Sequence, residues 1–267
     1  MPRASRHFLP GHLWHITHRC HERDFLLKFA KDRQRYLHWL FEAKKRFGLC
    51  VLDYTVTCNH IHLLVKDTAS GVIARSMQLI AGRTGQDYNR RKRRQGAFWE
   101  DRYHATAIEG DDHLRRCLVY IDLNMVRAGV VDHPARWPAS GYREIQSPPE
   151  RYAIIDLETL RALSGCASLS HLQSAHREWV EQAISADPVV RDGRWSEAVA
   201  VGTRAYVENV SSRLGLRASH REVTEIDGSC VLREPDKPYS LLFGGKSGPL
   251  RSNNARFWQD KNHTTAA

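Results

Sequence analysis

The chain has 267 residues, of which 42% are hydrophobic, so it can bury more core than a typical domain of roughly 100 to 150 residues. Lysine and arginine outnumber aspartate and glutamate by 40 to 30, which gives a net charge of +10 and an isoelectric point near 9.5. This excess favours a polyanionic partner such as nucleic acid. The chain has no apolar run of roughly 20 residues, and its six cysteines form no CxxC pair. These features argue against a membrane span, a zinc ribbon or a disulfide framework and predict a cytoplasmic protein.

The first half of the chain alternates strand and helix patterns. Alternating apolar residues predict a strand over 13–19, and helical spacing predicts a helix over 32–47 that Gly48 ends. Two further strands, over 49–57 and 60–65, are joined by a tight connection and therefore predict a hairpin.

Three more elements follow before residue 148. A second helix is predicted over 72–88, with a basic run as its end and exit loop, and a strand is predicted over 98–108. A third helix starts near Asp112 and carries an apolar stripe as far as Val126. The order of elements predicts an α+β fold in which helices flank a mainly antiparallel sheet.

The pattern changes after a pair of prolines near residue 148. Helical segments follow without further strong strand signals, and glycine, proline, serine and asparagine become frequent near the end. We predict a core domain over 1–148, a helical extension over 149–222 and a flexible tail over 223–267.

Two histidines separated by one residue open the second strand of the hairpin. Because strand side chains alternate, His60 and His62 project to one side while Ile61, Leu63 and Val65 face a core. The two histidines offer a pair of neutral nitrogen ligands. A structural or surface role for the same pair stays open.

The third helix carries a tyrosine and an asparagine on one face. Tyr120 and Asn124 are four residues apart and therefore neighbours on a helix. A tyrosine hydroxyl is a poor nucleophile at neutral pH, but a divalent cation that polarises a phosphodiester makes its attack on phosphorus feasible. Asn124 could offer its carbonyl oxygen to such a cation. Packing against the neighbouring apolar stripe is the alternative role for Tyr120.

Basic and aromatic residues are mixed between residues 83 and 103. Cationic side chains bind phosphates and unpaired bases stack on aromatic rings, so the mixture predicts a DNA-binding surface. A solvated helix end that carries charge is the alternative. The candidate DNA-binding residues are Arg83, Arg90, Arg91, Lys92, Arg93, Arg94, Trp99 and Arg102.

Four motifs together carry a family resemblance over about residues 6–145. They lie at residues 14–19 (WHITHR), 59–65 (NHIHLLV), 98–103 (FWEDRY) and 120–129 (YIDLNMVRAG). In order and spacing the chain resembles the single-tyrosine HUH transposases, specifically the REP-associated tyrosine transposases and their insertion-sequence relatives. It departs from the family where Cys58 and Met125 replace prolines. Without a proline at 125 the third helix is expected to continue, which affects the position of Asn124.

The resemblance implies a ferredoxin-like or RRM-like antiparallel sheet flanked by helices, with the core domain over 1–148 as the catalytic domain. It implies that His60 and His62 form the metal pair and that Asn124 assists them. Ligand type favours Mg²⁺ or Mn²⁺ as the ion. It also implies that Tyr120 cleaves single-stranded DNA, leaving a 5′-phosphotyrosine and a 3′-hydroxyl, in DNA transposition or in the processing of repeated palindromic elements that form hairpins.

Other functions share parts of this pattern. A nucleotide hydrolase of the histidine-triad type would need a histidine where the chain has Leu64. A replication initiator or relaxase shares the histidine pair and the tyrosine chemistry but is usually a larger chain. A domesticated regulator could bind nucleic acid with the same fold without cleaving it; the joint presence of His60, His62 and Tyr120 argues against this. The sequence predicts a nucleoid-associated protein and leaves monomer and homodimer open.

Overall fold

A seven-stranded sheet organises the residues that the structure describes, which are 11–186, 192–218 and 220–234. In this computed structural model the strands are β1 Leu13–Arg19, β2 Cys50–Val56, β3 His60–Lys66, β4 His104–Ile108, β5 Ala200–Gly202, β6 Glu222–Ile226 and β7 Ser229–Arg233. They lie in the order β2-β3-β1-β4-β5-β7-β6, and only the pairing of β4 with β5 is parallel. The predicted α+β fold with a mainly antiparallel sheet is confirmed.

Helices cover both faces of this sheet. Within the described ranges the α-helices are α1 Ala30–Phe47, α2 Val72–Lys92, α3 Asp112–Asp122, α4 Asn124–Arg127, α5 Gly141–Gln146, α6 Leu157–Leu163, α7 Leu169–Ser185, α8 Arg194–Glu197 and α9 Arg204–Leu214. Gly48 ends α1 in the left-handed conformation, and its N–H donates to the carbonyl of Lys44. Helix α2 extends through Lys92, so most of the basic run belongs to its last turns instead of an exit loop.

The strand register separates the sheet into two faces. Residues directly opposite each other on paired strands point to the same face. Thr17 lies opposite His62, and His15 lies opposite both Leu64 and Thr106. We call this the histidine face. Helix α3 packs on this face, where the hydroxyl of Thr55 in β2 donates to the carbonyl of Ile121 at 3.1 Å. Strand β3, which pairs with β2, is therefore buried on both sides.

The opposite face packs against α1 and the loop that precedes β4. Tyr36 of α1 is buried and contacts the ring of Trp99, which stacks on His18 of β1. The predicted strand over 98–108 was therefore too long. Only residues 104–108 pair as a strand, while Trp99 makes an isolated bridge with Cys20 and packs its ring against the core.

The third predicted helix is interrupted, contrary to the expectation that it continues. Helix α3 ends at Asp122 and α4 begins at Asn124, although residue 125 is a methionine. Leu123 departs from helical geometry with a ψ of 4°, and the side chains of Leu123 and Met125 are both buried. Tertiary packing of these side chains accompanies the break that proline was expected to make.

The segment after residue 148 contains strands that the sequence did not predict. Strand β5 separates α8 from α9 in a region where only helical segments were predicted, and Thr203 caps α9. The prediction of a flexible tail was wrong for 223–233, which belong to the β6–β7 hairpin; the tail from residue 235 lies outside the described residues. A three-residue strand such as β5 has no readable periodicity, and its pairing with β4 is possible only in the folded chain. The described residues up to Glu234 lie in one compact unit, and its sheet contains strands from both sides of residue 148.

Candidate active site

A cavity of about 590 Å³ opens on the histidine face of the sheet. Strands β1 and β3 form its floor, and the end of α3 and α4 form one wall. Four residues that the sequence analysis selected for chemistry line it together, namely His60, His62, Tyr120 and Asn124. Their assembly is an observation of the structure, whereas their catalytic roles stay predictions.

The rings at the floor of this cavity lie within contact of one another. The centroids of His60 and His62 are 4.9 Å apart, and that of Tyr120 is 5.8 Å from His62, with nearly perpendicular planes in both pairs. Asn124 Nδ2 lies 2.8 Å from His62 Nε2. The Tyr120 side chain is mostly buried, with 8% of the residue exposed, and it reaches the cavity from the last turn of α3.

Hydrogen bonds determine which nitrogen of His60 carries the proton. Asn59 Nδ2 donates to the carbonyl of Arg23 at 3.1 Å, so the amide oxygen of Asn59 faces His60 Nδ1 at 2.7 Å. An amide oxygen only accepts, so His60 Nδ1 donates. The lone pair of the neutral ring is then on Nε2, the nitrogen that can bind a metal.

His62 is buried beside a further histidine, His15. Burial, followed by the neighbouring His60 and His15, lowers the pKa of His62 well below its ordinary value. Burial also lowers the pKa of His15 to about 3. Both rings are therefore neutral at physiological pH, which is the form that binds metal ions.

Arg127 is a site residue that the sequence analysis did not single out. Its guanidinium lies 4.1 Å above the centre of the Tyr120 ring and donates to the carbonyl of the same residue. Burial lowers the pKa of Arg127, and the adjacent Tyr120 and Asp192 oppose this shift. Arg127 follows Tyr120 by seven residues, or two helical turns, so helical spacing within the fourth motif could have indicated it.

The donor atoms fit a divalent cation that keeps open coordination positions. Within residues 11–186, 192–218 and 220–234, no three His, Cys, Asp or Glu side chains are grouped to hold a metal ion. The two imidazoles of His60 and His62 are therefore the principal protein ligands available. Rotation of the Asn124 amide would exchange its nitrogen for its oxygen beside His62 and add a third. Water and substrate oxygens would complete such a site.

The predicted DNA-binding residues are divided between two places. Arg102 lines the cavity of the candidate site, as do Arg19 and Arg23, which the sequence analysis missed. Arg90 and Arg91 line a separate cavity of about 600 Å³ between α1 and α2. The remaining cationic candidates lie along the second half of α2 and just past its end, at Arg83, Lys92, Arg93 and Arg94.

Several of these side chains already have partners within the protein. Arg91 forms an ion pair with Asp32, and the guanidinium of Arg83 lies 5.5 Å from the ring centre of Trp39. Trp99 stacks on His18 with a centroid distance of 4.0 Å, and its Nε1 donates to the carbonyl of Ala81. One face of the Trp99 ring is thus already covered, which limits its predicted use as a stacking platform for bases.

Comparison with known proteins agrees with this assembly. Residues 10–124 match the model of the family described as "Transposase IS200 like". The matched segment includes β1 to β4, the histidine pair and Tyr120, and it ends at Asn124. The match places this part of the chain in a class of DNA-processing enzymes, the transposases. More particularly, residues 10–124 belong to the IS200-like transposase family, which confirms the resemblance stated above.

The solved structures that resemble the chain include two transposase-related proteins. One is a REP-associated tyrosine transposase bound to a REP hairpin, with 19% identity, a TM-score of 0.47, and coverage of 58% of this chain and 94% of the other. The second is a candidate transposase from Deinococcus radiodurans R1, with 16% identity, a TM-score of 0.33, and coverage of 43% and 90%. No curated protein matches the chain. Within the described residues, no helix is long and apolar enough to cross a membrane.

Proposed function

We propose that this protein cleaves and rejoins single-stranded DNA through a covalent bond to Tyr120, in transposition or in the processing of repeated palindromic elements. The observation that carries the proposal is the placement of the Tyr120 ring beside His62 in one cavity that His60, Asn124 and Arg127 also line. A tyrosine buried only for packing would need neither the histidine pair nor a guanidinium over its ring.

The reaction exchanges one phosphodiester for another. The Tyr120 oxygen bonds to phosphorus, and the bond from phosphorus to the 3′ oxygen of the preceding nucleotide breaks. The phenol proton passes to water, and the departing 3′ oxygen takes up a proton to become a hydroxyl. A later attack by a 3′-hydroxyl on the phosphotyrosine rejoins DNA without ATP, because the covalent intermediate retains the phosphodiester energy.

Besides Tyr120, seven side chains of the cavity have a part in the proposed reaction. His60, His62 and the amide oxygen of Asn124 would hold Mg²⁺ or Mn²⁺, which when bound polarises the phosphodiester and offsets its negative charge. Arg127 places a second positive charge 4.1 Å from the centre of the Tyr120 ring, where it would stabilise the negative charge of the attacking phenolate. Arg19, Arg23 and Arg102 at the cavity are positioned to pair with flanking phosphates.

The DNA partner is expected to be a hairpin with an adjoining single strand. The family resemblance supports this substrate, and the net charge of +10 supports tight electrostatic binding. The separate cavity between α1 and α2 offers Arg90 to the DNA outside the cleavage site. We also propose that the protein acts as a homodimer, which would allow two DNA ends to be exchanged.

The test uses the purified full-length chain, Mn²⁺ and an oligonucleotide that carries the palindrome flanking the chain's own gene. Wild type should form an adduct that survives denaturing electrophoresis, with a mass equal to protein plus the 3′ fragment of the oligonucleotide. Tyr120→Phe should lose the adduct and retain oligonucleotide binding. Tyr88→Phe is the matched control, because Tyr88 lies in the other cavity, beside Phe98, and should leave the adduct unchanged.

Two results would contradict the proposal in different ways. An adduct that persists in Tyr120→Phe would assign the nucleophile to another residue, with Tyr103 the next to test. Tight hairpin binding by wild type without cleavage in any divalent metal would favour the non-cleaving regulator instead.

A further inference from the structure

A chain of hydrogen bonds links His62 to a segment that lies outside the family match. His62 Nδ1 lies 2.9 Å from His15 Nε2, and His15 Nδ1 lies 2.6 Å from the backbone carbonyl oxygen of Trp195. Trp195 belongs to α8, whereas the family match ends at residue 124. The chain of bonds therefore connects the candidate metal ligand to the C-terminal part of the protein.

The direction of each bond follows from the carbonyl at its end. A carbonyl oxygen only accepts, so the proton of this bond is on His15 Nδ1. The partners of His15 are a carbonyl and an imidazole, neither of which is an anion, and His15 and His62 are 0% and 3% exposed. Burial without an anionic partner favours neutral rings. A neutral His15 protonated on Nδ1 has a lone pair on Nε2, so it accepts the proton of His62 Nδ1.

The consequence reaches the cavity through the other nitrogen of His62. When Nδ1 carries the proton, the lone pair lies on Nε2, the nitrogen that Asn124 contacts. Partners of this kind, which hold a metal-binding histidine in one tautomer and one orientation, typically change metal affinity by 10- to 100-fold when they are mutated. His60 has an equivalent partner in Asn59, but that partner lies next to it in sequence.

The Trp195 segment is itself held in position by the sheet. The Thr106 hydroxyl lies 2.7 Å from the carbonyl of Ala198 and 3.2 Å from that of Trp195, and His104 Nε2 lies 2.9 Å from the Ala198 carbonyl. The Trp195 ring also packs beside Tyr120, with centroids 6.1 Å apart. The segment 195–198 thus contacts both Tyr120, the candidate nucleophile, and His15, which bonds to the candidate metal ligand His62.

We propose that His15 and the backbone carbonyl of Trp195 are positioning groups that hold His62 in the tautomer able to bind the metal, so that the C-terminal segment completes the active site. This inference rests on the proposed function, because it concerns the same histidine pair. It assigns a role to a part of the chain outside the matched transposase segment. It also means that His15, in the motif at residues 14–19, orients His62, in the motif at residues 59–65.

The first measurement is the tautomer of each ring in the unmodified, metal-free protein. Long-range ¹H–¹⁵N NMR correlation spectra of ¹⁵N-histidine-labelled full-length protein distinguish a ring protonated on Nδ1 from one protonated on Nε2. We expect both His15 and His62 to be protonated on Nδ1, with the signals assigned through His15→Gln and His62→Gln. A His62 ring protonated on Nε2, or on both nitrogens, at neutral pH overturns the proposal.

The second measurement is Mn²⁺ affinity by titration calorimetry in the absence of DNA. His15→Leu removes the acceptor for His62 and should weaken Mn²⁺ binding about 10- to 100-fold. His15→Gln can place its amide oxygen near the position of His15 Nε2 and should recover part of this loss. His113→Leu is the matched control, because His113 lies on α3 and contacts Glu109 instead of His62, and it should bind Mn²⁺ as wild type does.

These results separate the inference from the proposed function. Wild-type affinity in His15→Leu, or an equal loss in His113→Leu, overturns the positioning role even if the Tyr120 adduct forms. Conversely, the expected tautomers and the expected loss of Mn²⁺ affinity, without an adduct, support the positioning role and contradict the strand-cleavage proposal. If His15→Leu fails to fold, the tautomers of the unmodified protein still decide the question.

Discussion

Replacing Arg127 by methionine should slow cleavage by about 30-fold. The guanidinium carbon lies over the Tyr120 ring, 4.1 Å from its centre. A cation in this position is about 5 Å from the phenol oxygen, where a unit charge is worth about 3 kcal/mol at an effective dielectric constant of about 20. The same guanidinium already makes a cation–π contact with the neutral phenol ring, worth about 1 kcal/mol. The remaining difference of about 2 kcal/mol favours the phenolate that attacks phosphorus and corresponds to a rate reduction of about 30-fold.

The assay is single-turnover formation of the Tyr120 adduct at saturating enzyme, with oligonucleotide affinity measured separately. Arg127→Met should lower the rate and change affinity only slightly, because the interaction develops during the reaction. Arg127→Lys keeps the positive charge but replaces the planar guanidinium with an ammonium group, and it should retain part of the rate. Arg115→Met is the matched control, because Arg115 is on α3 but pairs with Asp112 instead of lining the cavity.

Arg127 also donates to the Tyr120 carbonyl, so a loss of structure could imitate a loss of chemistry. Urea unfolding of each variant separates the two effects. The electrostatic reasoning is refuted if Arg127→Met is folded and forms the adduct within about threefold of the wild-type rate, a change of under 1 kcal/mol. It is also refuted if Arg115→Met slows the reaction equally.

Two further predictions concern stability. His176 Nε2 contacts Asp122 Oδ2 at 2.7 Å with both side chains fully buried, which ties α7 to α3, so His176→Leu should lower the free energy of unfolding in urea by about 3 to 5 kcal/mol. Substituting both partners by leucine should restore most of it, and a single-variant loss below about 1 kcal/mol would contradict this role. His15 and His62 have pKa values lowered by burial, His15 to about 3, so only the unfolded chain binds their protons below about pH 6.5. The free energy of unfolding therefore does not depend on these two groups above about pH 6.5. Below that pH it declines as the pH falls, by up to about 3 kcal/mol per pH unit for the two histidines together. Urea titrations in EDTA at several pH values will measure this decline.

Much of the first half of the fold was predictable because it depends on local periodicity. Strand β1, helix α1 and the β2–β3 hairpin repeat apolar residues at the spacing of their own secondary structure, and Gly48 ends the first helix where expected. The common direction of His60 and His62 follows from the alternation of a strand. Their proximity to Tyr120 was an expectation of the family resemblance, since nothing local relates residues about sixty positions apart.

The parts that were missed depend on contacts distant in sequence. Strand β5 is three residues long and forms against β4, and the β6–β7 hairpin extends a sheet edge that β5 creates. The basic run of α2 was grouped with Arg102 from its composition, but the fold directs most of it away from the candidate site. Net charge and composition report how many cations a chain has, not which of them share a cavity.

By itself, the sequence determined the alternation of helices and strands up to α3, the common face of the two histidines, and the family to which residues 10–124 belong. Only the tertiary structure decided that Arg127 lies over Tyr120, that α3 breaks at Leu123, and that the carbonyl of Trp195 reaches His15 across 180 residues of sequence. Periodicity and turn chemistry act over a few residues and are legible in a sequence. Hydrogen bonds between distant segments depend on how the whole sheet closes over its core, which no local pattern specifies.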